Sequence, residues 1–175
     1  LLGTMGFGEE LVVLTIWPIF VYLTFDNFVS TGAAITISTL ITSLSILYVG
    51  RLTDTKNRKS VLRFSTALVS LSWVLRLFVR GAGGVVFVDF FSRTSKYLFA
   101  LPFFSGLYRH ATETSVVRTI IFFEMALTVG KIFVAGILAI LFSIFPNAWN
   151  AAFGLAAACS LLYFFLSKHH DTTLS

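Results

Sequence analysis

The chain has 175 residues, of which 57% are hydrophobic and 12% charged, with a formal net charge of +5. Soluble domains carry about one quarter charged residues, so these values exclude an ordinary water-soluble fold. The basic residues gather in short gaps between apolar runs, which points to membrane orientation and away from nucleic acid.

The apolar blocks lie at 11–29, 33–50, 61–79, 85–104, 116–142 and 148–166. Each approaches the roughly 20 residues that cross about 30 Å of hydrocarbon as a helix. A membrane barrel strand would be about 10 residues long and would alternate in polarity; these blocks do neither. The expected fold is an all-α integral membrane protein, with six transmembrane helices in one domain over 1–175.

In the first block, Glu9 and Glu10 crowd the start and Asp26-Asn27 the end. Pro18 removes a backbone donor and predicts a kink, which neighbouring helices compensate in a membrane. The block's length and its lack of a basic leader do not match a cleavable signal peptide. The second block is rich in small and hydroxylated residues, among them Ala33, Ala34, Thr36, Ser38, Thr39, Thr42, Ser43 and Ser45. Such a face suits close helix packing, with a hydroxyl-lined path as the alternative. A polar gap follows, Gly50-Arg-Leu-Thr-Asp54-Thr-Lys56-Asn57-Arg58-Lys59.

Near the ends of the third block, Arg63, Arg76 and Arg80 are placed to snorkel to headgroups. Gly81, Gly83 and Gly84 read as a turn. The fourth block carries Asp89, Arg93 and Lys96, which share one helix face at about 100° per residue. The fifth carries Glu124 and Lys131, again on one face. Charges at bilayer depth cost a few kcal/mol on lipid-facing positions, so both stripes are expected to face protein or water. The competing reading is simple neutralisation: Asp89 with Arg93, and Glu124 with Lys131 or with a base elsewhere. Arg93 and Lys96 together outnumber Asp89, which favours an anionic or carboxylate-bearing solute. Glu124 is the candidate for reversible protonation, with protons as the coupling ion. Gly130 and Gly136 suit close helix approach or flexing. Trp149 and Tyr163, near the ends of the last block, read as interfacial aromatics.

Cys159 is the single cysteine, so no internal disulfide forms. His110, His169 and His170 lie in loop or tail without a third ligand at fixed spacing, so no metal and no cofactor are expected. The basic gap and Arg109 fall on the side that holds both termini, which the positive-inside rule makes cytoplasmic. The expected location is multi-pass, in a plasma or inner membrane. The start at Leu1 and the polar tail after Leu166 lead us to expect a C-terminal piece of a longer protein.

The polar gap resembles the loop signature of the major facilitator superfamily. Gly50 and Asp54 match in identity and spacing, and Arg58 and Lys59 match the closing basic pair. Thr55 stands where the family has its first base and Asn57 where it has a second glycine. Asn is the next residue most willing to adopt left-handed backbone angles. The resemblance implies a six-helix half, the C-terminal one, built from two inverted three-helix repeats. It implies that Asp54 meets the basic groups and helix ends of the cytoplasmic face and holds one conformational state. It also places the fourth-helix stripe of Asp89, Arg93 and Lys96 on a central cavity, and Glu124 and Lys131 near the seam between halves. The partner half is either covalent or a second chain.

These readings converge on secondary active or facilitative transport of a small solute by alternating access. The alternative is a non-transporting membrane scaffold or sensor with a transporter-like fold. An enzyme is not expected, since no paired acids, metal-ligand cluster or nucleophile–base pair is evident. The expected partners are the lipid bilayer and a small solute.

Overall fold

The computed structural model describes residues 2–55, 58–79 and 81–164; for 2–3, 48–55 and 58–59 the description is of backbone alone. Among these residues the fold is all-helical, with six helices. We label them α1 (2–25), α2 (Phe28–Thr55), α3 (Arg58–Arg76), α4 (Gly81–Glu113), α5 (Val116–Ile144) and α6 (Trp149–Leu161). Three stretches are long and apolar enough to cross a membrane: Gly6–Phe25, Phe28–Leu47 and Val116–Ile144. That combination suggests a multi-pass membrane protein.

The first helix starts earlier and ends sooner than its apolar block. It runs through a tight 3-10 turn at Gly6–Gly8 and a widened π turn at Val12–Ile16 before Trp17–Phe25. The π turn lies immediately ahead of Pro18, where the missing N–H and the bulky ring disturb the regular hydrogen-bond ladder. The helix stops at Phe25 because Asp26 takes left-handed angles (φ 49°), while its amide still donates to Tyr22 O at 2.7 Å. Short polar side chains tolerate that conformation. Asn27 Oδ1 then accepts the Val29 amide at 2.8 Å and starts α2. Phe28 and Val29 therefore belong to α2 and not to the first crossing.

In the polar gap, Gly50 and Asp54 lie on the last turns of α2, and Arg58 and Lys59 open α3. Their side chains, and all of Lys56 and Asn57, lie outside the described residues. So do Arg80, His169 and His170. The glycine run 81–84 is not a free turn: only Gly81 has a positive φ (74°), and it is already the first residue of α4.

α4 packs against α2 and α3, while α1 packs against α5 and α6; α3 meets α6, and α1 meets α4. This pattern is unchanged when α1–α3 are exchanged for α4–α6. The α1–α5 seam depends on absent side chains. A Cβ on Gly130 would stand 2.7 Å from Met5 O, and one on Gly8 would stand 2.7 Å from Val134 Cγ2. Backbone approach of this kind is the usual role of small residues between membrane helices. It lets Phe7 reach the centre, where its ring meets Phe99, Phe103, Phe123 and Tyr163 at centroid distances of 5.1–6.0 Å. Two and three residues on, Glu9 is thereby carried inside and Glu10 to its margin.

Candidate functional site

Glu9 is 1% exposed. Its Oε1 accepts from Lys96 Nζ and, at 3.0 Å, from Tyr163 Oη; its Oε2 accepts from Trp73 Nε1. Lys96 Nζ also donates to Tyr163 Oη at 2.8 Å. One carboxylate on α1 thus binds side chains from α3, α4 and the turn closing α6. A buried carboxylate is tolerable only when its charge is opposed and its lone pairs are filled, and both conditions hold.

Glu10 extends the network sideways. Its carboxylate lies 3.6 Å from Lys96 Nζ and 3.3 Å from Lys131 Nζ, linking α4 to α5. The ammonium of Lys96 also lies 4.7 Å from the Phe7 ring centroid and 5.0 Å from that of Tyr163. Cations near aromatic faces gain from the ring quadrupole.

A third carboxylate, that of Asp89, makes a separate set of contacts. Asp89 is 3% exposed; its Oδ1 accepts from Trp17 Nε1 at 3.0 Å and its Oδ2 from Arg93 Nε at 2.8 Å. Between the two carboxylate systems stands Arg76, 1% exposed. Its Cζ lies 3.9 Å from the Trp73 ring centroid and 4.4 Å from that of Trp17. Its Nη2 donates to Ser92 Oγ at 3.0 Å.

These groups border a cavity of about 340 Å³. Its polar wall is Glu9, Glu10, Arg76, Asp89, Arg93 and Lys96, and its apolar wall includes Val13, Leu14 and Val69. Ligand pockets have this composition: mostly apolar walls with a few convergent polar groups.

The structure gathers Asp89, Arg93 and Lys96 at this cavity, but does not join them into one triad. Arg93 pairs with Asp89, whereas Lys96 turns to α1. Lys131 reaches Glu10, and Glu124 is exposed on α5. The two acids that crowd the first apolar block are the hub of the network, because Lys96 and Lys131 supply opposing charge there. Arg76 does not snorkel: α3 ends at this residue and the side chain turns inward beneath two indoles. Tyr163 is not interfacial; it is 0% exposed and bonded to Glu9 and Lys96. A signal for part of this was present in the chain. Trp17 and Trp73 sit well inside their blocks, where an indole N–H has no headgroup to reach and needs an internal acceptor.

No protein family, curated protein or solved structure matches this chain.

Proposed function

We propose that this chain is a six-helix half of a major-facilitator-type secondary transporter, moving a small solute by alternating access. The observation that carries the reading is the polar network of Glu9, Glu10, Asp89, Arg93, Lys96 and Lys131, which lines and adjoins a 340 Å³ pocket that opens on one side of an apolar helical bundle. Ionisable groups at that depth mark solute and ion pathways by default. The exchange symmetry of the packing supports two inverted three-helix repeats, with the site between them.

On this reading all six helices cross the bilayer. α4 has 33 residues and spans about 50 Å at the α-helical rise. Its charges are acceptable in a membrane because Asp89 is buried, Arg93 is paired with it, and Lys96 is paired with Glu9. α2 and α5 present exposed apolar rows, including Leu40, Leu44 and Leu47 on one and Phe122, Met125 and Val129 on the other. These rows suit lipid and a second six-helix half. Both termini then lie in the cytoplasm, in a plasma or inner membrane. The gap from Gly50 to Lys59 serves as the cytoplasmic gate, and no enzymatic step is required.

The test is uptake of a solute panel into liposomes containing the purified protein, with and without an imposed proton gradient. Accumulation that requires the protein supports transport. Tight binding without any flux across the panel would favour the scaffold or sensor reading.

A further inference from the structure

Among the described residues, the charges around the cavity do not sum to zero. Glu9, Glu10 and Asp89 are opposed by Lys96, Lys131 and Arg93, each within 3.6 Å of a carboxylate. Arg76 is left over. It lines the same cavity, it is 1% exposed, and it has no carboxylate among its hydrogen-bond partners. Among the described residues, the buried side-chain nitrogens without a hydrogen-bond partner are its Nε and Nη1. Arginine cannot shed its proton as a lysine can, so it stays a cation here. A buried guanidinium with unspent N–H groups is costly unless an acceptor arrives.

We propose that Arg76 binds the carboxylate of a small organic monoanion, and that the apolar wall of Val13, Leu14 and Val69 holds the body of that molecule. The proposal rests on reading the cavity as the solute site, and it names the solute class. The charge balance decides the valence. One negative charge leaves the cluster neutral, whereas a dianion would leave an uncompensated charge in the interior. The wall decides the rest, because a small inorganic anion would leave the apolar side unfilled. Ser92 Oγ holds the guanidinium at Nη2; Nε and Nη1 point to different edges, so a carboxylate oxygen takes one of them, and a small shift of the buried side chain must expose it. Stacking near Trp17 and Trp73 stabilises the cation and puts two indoles close enough to report on occupancy. Arg93 and Lys96 are not the primary anion hosts, because each is already held by a carboxylate.

Equilibrium binding to the detergent-solubilised full chain tests this, read by intrinsic tryptophan fluorescence and by calorimetry. The probes are benzoate, phenylacetate and butyrate, with benzamide as the neutral isostere, phthalate as the dianion and chloride as the inorganic anion. At least one monocarboxylate is expected to bind more tightly than benzamide, phthalate and chloride. Arg76→Gln should weaken that binding about 10- to 100-fold, the scale of a lost charged hydrogen bond. Arg109→Gln, at an exposed arginine paired with Glu113 on α4, should leave it unchanged. Should Arg76→Gln fail to fold, Arg76→Lys carries the test. It keeps the charge but offers one nitrogen, and is expected to lose about tenfold. An unchanged affinity in the folded Arg76 variant would overturn the proposal. So would a wild-type protein that binds none of the monocarboxylates, or that binds chloride or benzamide as tightly. Flux of the bound monocarboxylate into liposomes is measured separately. Binding that depends on Arg76 without flux removes the transport reading and leaves the site. Flux that ignores Arg76 does the reverse.

Discussion

The phenol of Tyr163 donates to Glu9 Oε1 across 3.0 Å, although the two residues are 154 positions apart in the chain. Lys96 donates to both, so the contact joins α1, α4 and the turn after α6 at one point. Glu9 can lie in an apolar interior because three donors converge on it from three different helical segments.

Tyr163→Phe removes one of those donors and little volume. It should destabilise the protein by about 1 kcal/mol, the usual scale for a hydrogen bond inside a membrane bundle or a soluble core. Equilibrium unfolding in mixed micelles measures this. No change would mean that Lys96 and Trp73 alone satisfy Glu9.

Glu9→Gln leaves the Lys96 ammonium with only the more distant Glu10 carboxylate in opposition. A broken buried pair costs about 3–5 kcal/mol, so the variant should unfold at clearly lower denaturant. The double variant Glu9→Gln/Lys96→Met removes both charges and should recover part of that loss. A double variant less stable than Glu9→Gln would show that the pair is not the source of the effect.

Glu10 and Lys131 are both about 30% exposed at 3.3 Å, so their attraction is partly screened. A double-mutant cycle with Glu10→Gln and Lys131→Met should give a coupling of about 0.5–1 kcal/mol. A coupling of zero would separate α5 from the polar network.

Gly130→Ala should be strongly disruptive, because its new methyl group would stand 2.7 Å from the Met5 carbonyl oxygen. Overpacking of this kind costs about 1–3 kcal/mol, and more where the obstacle is backbone. Gly136→Ala, on the same helix with nothing within 4 Å, is the matched control and should be neutral or slightly stabilising. Equal effects at the two positions would argue against close approach of α1 to α5.

Much of the architecture was legible in the chain, for a physical reason. Lipid forbids unpaired backbone, so apolar blocks of about 20 residues read directly as helices. The charged stripe on α4 was equally visible, because helix periodicity is local; the break at Asp26-Asn27 was not, since the apolar run continues through Phe28 and Val29. Helix ends were less so: α4 continues past the apolar block to Glu113, and α1 begins before its own.

Partnership was the part that only the tertiary structure decided. Composition placed Asp89, Arg93 and Lys96 on one face, but a helix face does not say which neighbour will meet it. The glycines at 6, 8 and 130 let α1 slide deep enough for Glu9 and Glu10 to capture Lys96 and Lys131. That left Arg93 to Asp89 and turned Arg76 inward beneath Trp17 and Trp73. Sequence alone determines that this chain carries charges within long apolar runs; which charge is left without a partner depends on distances between helices far apart in the chain.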